Sequence, residues 1–348
     1  MTKIYFRCDS SSDIGSGHVI RCLTLANFLK KKGLFTTFIC KETEGNLFDV
    51  ILKHNHNLVV LSNSNKKNIW EDDAQEIIDK IKDFNSSKDW MVVDHYFLNK
   101  DWETRISSKL YKLFIIDDLC DRPHYGNILL NQNYLPGIRS QYKKILSSKT
   151  KILLGPKYAL LSPEYKATRK LIKINKKKKL QRVIIFFGAS DHKEQTIKCL
   201  SILSKLNLKL LKIDIVIGLA NKKKKLIEEI TNKIDNATLH VQIPSLCNLM
   251  KNADLYLGSG GTTTWERCCL GLPSIVISTS ENQVRQNEYL FNKGVIKYLG
   301  KAESVSEENI RTALLMFAEG YDSTKMSKKA LKITNGNGAE LVSKEFLN

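Results

Sequence analysis

The sequence predicts an α/β protein made of two Rossmann-like, doubly wound halves. Three observations carry that prediction. Short apolar, β-rich runs recur along the 348 residues. Segments of helical periodicity separate several of them. The whole pattern then restarts near residue 182. Continuous apolar strands alternating with helices are what parallel sheets covered on both faces require. Two such sheets facing each other leave a central cleft at the carboxyl ends of their strands, where ligands bind in this architecture.

In the first half the strand-like runs are KIYFRC (3–8), FTTFIC (35–40), NLVVLS (57–62), DWMVVDHY (89–96), KLFIIDD (112–118), NILLNQ (127–132) and TKILLG (150–155). VIRCLTLANFLKKKG (19–33) puts Ile20, Leu23, Leu25 and Leu29 roughly on one face and stops at Gly33, a helix C-terminal signal. DAQEIIDKIKDF (73–84) reads likewise. In the second half the strands are RVIIFFGASD (182–191), LKIDIVIG (211–218), TLHVQI (238–243), ADLYLGSGG (253–261), PSIVIS (273–278) and GVIKYLG (294–300). Helices are predicted over 193–205, 222–233, 245–251, 262–270 and 283–293. The expected division is an N-terminal domain over 1–165, a basic linker over 166–180 and a C-terminal domain over 181–348.

The formal net charge is +19, from 55 Lys and Arg against 36 Asp and Glu, so polyanions must be considered as partners. The lysine runs Lys30–Lys32, Lys176–Lys179 and Lys222–Lys225 sit at element edges. No aromatics interleave with them as in a base-stacking platform, so they read as solvated surface and no nucleic acid is expected. Any functional attraction is better assigned to a nucleotide-sugar diphosphate. The eight cysteines form no C-x-x-C pair, and adjacent Cys268 and Cys269 make a poor zinc site. Most read as small buried hydrophobes, and no metal or cofactor is expected. The start MTKIYFRCDS lacks a signal-peptide core, no window approaches a membrane span, and with free thiols this favours a cytoplasmic location. No sequence feature sets the oligomeric state.

Five stretches can carry chemistry. DSSSDIGSGHVIR (9–21) joins the first strand to the first helix. Gly15 and Gly17 free the backbone there, but Ile20 stands where a dinucleotide fingerprint needs its third glycine. His18 is either a capping or packing histidine or a general base, with Asp9 or Asp13 to orient it and Arg21 to meet an anion. GSGGTTTWE (258–266) is the sharpest signal. Ser259, Gly260, Gly261, Thr262, Thr263 and Thr264 precede or open a helix, where unpaired amides and the helix dipole favour a diphosphate. Glu266, one turn on, can accept two bonds from vicinal ribose hydroxyls, or can merely complement the dipole. FFGASD (186–191) offers Gly188 and Ser190 to a phosphate or sugar. In STSENQV (278–284), Asn282 and Gln283 suit sugar hydroxyls or amides. VVDHYFL (92–98) places Asp94, His95 and Tyr96 at a strand end, as ligand contacts or as a structural cluster.

Taken together, these stretches resemble the PseG family, UDP-2,4-diacetamido-2,4,6-trideoxy-β-L-altropyranose hydrolases of pseudaminic acid biosynthesis, which are similar to MurG-type glycosyltransferases with the GT-B arrangement. The resemblance runs from residue 3 to about residue 300. It implies a metal-independent, inverting hydrolysis of a UDP-sugar to UDP and the free sugar. It puts the catalytic base on His18 and further catalytic roles on Asp9, Tyr96 and Asn282. Substrate contacts fall on Gly15, Gly17, Arg21, Gly188, Ser190, Ser259 to Thr263, Glu266 and Gln283, with Glu266 at the ribose. Two departures stand out: Ala189 occupies a place where a second glycine is common, and a long tail follows residue 300. A closing helix that crosses back to the first domain is one use for that tail. A GT-B glycosyltransferase and a non-catalytic nucleotide-sugar binder are the alternatives.

Overall fold

The computed structural model describes residues 2–62, 69–174, 179–206, 210–219 and 221–347; Lys176–Lys178 of the expected basic linker lie outside them. The chain forms two compact units, residues 1–160 with 338–348 and residues 161–337.

Unit 1 holds seven strands: β1 (Lys3–Cys8), β2 (Phe35–Lys41), β3 (Asn57–Leu61), β4 (Trp90–Asp94), β5 (Lys112–Ile116), β6 (Ile128–Asn131) and β7 (Lys151–Leu154). They form one sheet in the order β3-β2-β1-β4-β5-β6-β7, with every pairing parallel. Alternation along each strand feeds two cores. Ile4, Phe6, Phe38, Val92 and Phe114 face the helix Gly17–Lys30, while Tyr5, Ile39, Met91, Val93 and Ile115 face Trp102, Ile106 and Tyr142. Each large side chain buried this way is worth about 1.5–3 kcal/mol, so both faces of the sheet contribute.

Unit 2 holds β8 (Arg182–Phe186), β9 (Lys212–Ile217), β10 (Ala237–Val241), β11 (Leu255–Ser259), β12 (Ser274–Ser278) and β13 (Lys297–Lys301). Its sheet is also parallel, in the order β10-β9-β8-β11-β12-β13. The expected fold class therefore holds, and each strand lies on or within about two residues of an expected run. In both sheets the winding direction reverses at the first strand of the unit, between β1 and β4 and between β8 and β11. At such a reversal the connecting loops part and leave a crevice beyond the strand ends.

The division differs from the expected one at both ends. Residues 166–169, assigned to the linker, belong to a helix (Pro163–Arg169) of unit 2. Its Arg169 donates to the carbonyls of Cys269 and Leu331 at 2.8 and 2.7 Å, which ties it into that unit. The last residues, assigned to the second domain, pack with the first: Ala339, Val342 and Phe346 join the core of β1 and β4, with the Phe346 ring 4.7 Å from Trp90. Gly338 lets this segment in, because a Cβ there would lie 2.2 Å from the Ala159 carbonyl oxygen.

Candidate functional site

In unit 1 the crevice at the β1/β4 reversal is a small pocket lined by Asp9, Ile14, His18, Asp94, His95, Tyr96 and Phe97. Its floor is set by strand ends and its rim by the loop before the helix Gly17–Lys30. That loop is shaped by its small residues. Ser11 Oγ accepts from the amides of Asp13 and Ile14 at 3.2 and 3.1 Å, and Gly15, at φ +77°, closes back on the Ser11 carbonyl. Gly17 then opens the helix, and His18 stands in its first turn.

His18 is 6 % exposed, and its Nδ1 lies 2.6 Å from Asp94 Oδ1. A carboxylate only accepts, so Nδ1 carries the proton and donates it. That leaves Nε2 as the lone-pair nitrogen, and among the described residues it has no hydrogen-bond partner. The Tyr96 ring meets the imidazole edge-on, with centroids 4.5 Å apart. Burial works to raise the Asp94 carboxyl, but the Arg21 charge and then His18 outweigh it and hold it well below the usual range. Asp94 is thus an anion at any pH near neutrality.

His95, in the same pocket, is wired differently. Its Nδ1 accepts from the Phe97 amide at 3.1 Å, so its Nε2 carries the proton and donates to Asp9 Oδ2 at 3.1 Å. Both ring nitrogens are committed, and burial lowers its pKa despite Asp9. Of the two pocket histidines, His18 alone presents an open acceptor.

Two expected roles change here. Asp94, not Asp9, orients His18. Asp9 instead accepts from Arg7 Nη1 at 2.6 Å and from the Lys41 amide at 2.7 Å, besides His95. Asp13 is exposed. Arg21 is not available to a substrate anion: its Nε and Nη2 each lie 2.6 Å from Asp94, and Nη1 lies 2.8 Å from Asp118. It is 4 % exposed and acts as the clamp that keeps Asp94 ionised and aimed. Asp118 was not anticipated. Its only sequence signal is its place just past the end of an apolar strand, in IIDD (115–118).

In unit 2 the β8/β11 reversal brings together the two expected turns. After β11, Gly260 packs so closely on Asn287 that a Cβ would lie 2.1 Å from that amide nitrogen. The next helix is Thr263–Leu270, and Thr262, at its N-cap position, makes no side-chain capping bond. The first amides of a helix have no partner within it. The amides of Thr264 and Trp265 donate to the Gly261 and Thr262 carbonyls at 3.0 and 3.2 Å, but Thr262 is not spent as a cap, and among the described residues the amides of Gly261, Thr262 and Thr263 meet no acceptor, so these donors stay open at the dipole's positive end. Ser259 is buried, Gly261 and Thr263 are half-buried, and Thr262 is exposed. Gln283 holds the turn: its Oε1 accepts from the amides of Gly260 and Thr279 at 3.3 and 3.1 Å. That side-chain oxygen is a structural tie rather than a free ligand contact. Asn282 is exposed beside it, its Oδ1 accepting from the Ser280 hydroxyl at 2.6 Å.

Glu266 is half-buried, and its Oε2 is enclosed with no hydrogen-bond partner among the described residues. Burial, reinforced by Glu164, raises its pKa to about 7, against the opposing influence of Tyr165 and Arg267. After β8, Gly188 has φ +96°, the Ala189 carbonyl is taken by the Gly218 amide at 2.8 Å, and Ser190 Oγ lies 3.1 Å from His192 Nε2. The helix start beyond this turn is filled by Asp191, which accepts from the amides of Gln195 and Thr196 at 3.1 and 2.7 Å. Of the two turns, the one after β11 therefore has the open helix start. Among the described residues no His, Cys, Asp and Glu cluster could hold a metal ion, and no helix is long and apolar enough to cross a membrane.

Residues 183–334 match a protein family described as "Protein of unknown function (DUF354)". The chain is 27 % identical over 291 residues to the uncharacterized protein MJ1062 of Methanocaldococcus jannaschii, covering 81 % of this chain and 56 % of that protein, little more than half its length. It is 28 % identical over 293 residues to the UDP-2,4-diacetamido-2,4,6-trideoxy-β-L-altropyranose hydrolase of Campylobacter jejuni, covering 84 % of this chain and 97 % of that one. Among solved structures, MurG of Acinetobacter baumannii matches with a TM-score of 0.66 at 12 % identity, covering 100 % of this chain and 99 % of that one. The chain thus has two parallel-sheet α/β units with GT-B neighbours, and it is related to an enzyme named for the hydrolysis of a UDP-sugar.

Proposed function

We propose that this protein hydrolyses a UDP-linked diacetamido-trideoxy sugar of the altro series, releasing UDP and the free sugar with inversion at the anomeric carbon. The observation that carries the reading is the wiring of His18: Nδ1 on Asp94 and Nε2 open.

Each unit takes one task. In unit 2 the open amides of Gly261, Thr262 and Thr263 and the Thr262 hydroxyl bind the diphosphate, and Glu266 accepts from the ribose hydroxyls. As the bond from the anomeric carbon to the diphosphate oxygen breaks, negative charge grows on that oxygen. Preorganised donors and a helix dipole stabilise such charge most effectively. UDP leaves as a stable anion, so no general acid is needed. In unit 1, His18 Nε2 takes a proton from water as the new carbon–oxygen bond forms. Asp94 stabilises the imidazolium that results, and Arg21 keeps Asp94 charged. Tyr96 limits the imidazole's rotation. A positioned base of this kind is typically worth about a hundred- to ten-thousand-fold in rate.

The sugar's identity rests on the resemblance and on the Campylobacter relative. The test is turnover in heavy-oxygen water with a panel of UDP-sugars that includes the diacetamido altrose compound. Label is expected in the sugar, with UDP unlabelled. Label in UDP, or UDP release only when a sugar acceptor is added, contradicts the hydrolase reading; the second result identifies a glycosyltransferase.

A further inference from the structure

Arg267 has no task in the mechanism above, yet its surroundings are unusual. It lies one turn into the helix Thr263–Leu270 and is 1 % exposed. Its Nη2 donates to Thr264 Oγ1 at 2.9 Å. Its Nε and Nη1 are buried and meet no acceptor, so among the described residues no carboxylate is in contact with it, and Glu266 acts on it only through space. The guanidinium sits 4.6 Å from the centroid of the Tyr256 ring, a cation–π contact. The Tyr256 hydroxyl in turn lies 3.3 Å from the Ser259 carbonyl and 3.4 Å from Thr263 Oγ1. One aromatic side chain therefore separates a buried positive charge from the turn with the open helix start. Helical side chains lean toward the N-terminus, which aims this one the same way.

A buried cation with no carboxylate in contact is costly, and packing alone would be served as well by a long apolar side chain. The charge makes sense if its partner arrives with a ligand. We infer that Arg267 is the buried positive half of a diphosphate site at Gly260–Thr263, acting through space on an anion that it does not touch. The helix dipole and this charge then add at one place. The inference deepens the nucleotide-sugar reading and rests on it for the ligand's identity, but the anion site itself can be tested alone. Arg267 is a positioning residue in this account.

The experiment is calorimetric titration of the full chain with UDP, uridine and inorganic pyrophosphate, for the wild type, Arg267→Met and Arg267→Lys, with a melting curve for each. With titration at about pH 8.5, where Glu266 is ionised without Arg267's help, removing the charge is expected to weaken UDP and pyrophosphate binding by about tenfold or more while uridine affinity stays within about twofold. The unliganded melting temperature should not fall, and Arg267→Lys should retain most of the UDP affinity. Parallel loss of uridine and UDP, or pyrophosphate binding that ignores the charge, overturns the inference. If the methionine variant does not fold, Arg267→Gln against Arg267→Lys decides the matter by the same comparison. A wild type that binds neither UDP nor pyrophosphate overturns it as well. Charge-dependent pyrophosphate binding without turnover of any UDP-sugar would sink the hydrolase reading and leave this one standing.

Discussion

Asp94 Oδ1 lies 2.6 Å from His18 Nδ1, and the same carboxylate receives Arg21 Nε and Nη2. This relationship fixes which nitrogen of His18 faces the pocket. Asp94→Asn keeps the shape but allows the opposite tautomer. Turnover should fall by roughly a hundred- to ten-thousand-fold, while UDP affinity stays within about twofold. Steady-state kinetics and calorimetry on the same preparation check this. An unchanged rate would mean that the pair is structural.

Glu266 links affinity to pH. Its raised pKa of about 7 means that the carboxyl is largely protonated on the acid side of neutrality. The groups acting on it are Glu164 and Tyr165 from the facing helix and Arg267 from its own. Ionisation makes the carboxylate an acceptor only, suited to a ribose hydroxyl. Uridine binding should therefore tighten several-fold between about pH 6 and 8, and Glu266→Gln should flatten that profile. Uridine is the better probe because it carries no phosphate to titrate in that range. A profile that the glutamine variant shares with the wild type would remove Glu266 from the ribose.

His124, another histidine of unit 1, makes a prediction about stability alone. His124 is 3 % exposed, with Nδ1 2.6 Å from Glu103 Oε1 and Nε2 3.7 Å from Asp117 Oδ2. Burial would lower its pKa, but the two carboxylates prevail and raise it from 6.5 to about 9. The folded state thus holds the proton more tightly than the unfolded chain. Its stabilisation is complete below the ordinary histidine pKa and is lost as pH rises through about 9. Denaturant midpoints should fall over that interval, and His124→Gln should remove most of the fall. An equal decline in the variant would assign it to other groups.

The strands were legible because each is a continuous apolar run that two covered faces demand. The helices Lys100–Ser107 and Ile138–Ile145 were not, since each is a single short amphipathic stretch among polar residues. The tail beyond residue 300 was open in the sequence because its helices bury only narrow faces, and Gly338 with Phe346 makes sense only beside Ala159 and Trp90. His18, Tyr96 and the Gly260–Thr263 turn could be named as candidates because strand-to-helix turns with small residues announce themselves. Their partners could not. Asp94 is 76 residues from His18, and Asp118 is 97 from Arg21. Only the strand order, with β4 beside β1 and β5 beside β4, brings those side chains together. Nearness in the chain points to Asp9 or Asp13 as the group that orients His18, but the sheet delivers Asp9 to Arg7 and His95 instead and Asp13 is exposed.

The central claim is that His18 Nε2 removes a proton from water. The measurement that tests it most directly is UDP release by His18→Asn, a near-isostere that can keep a hydrogen bond to Asp94 but cannot act as a base near neutral pH. The account predicts a rate lower by at least about a hundredfold with UDP still bound as in the wild type. Wild-type turnover in that variant would contradict it.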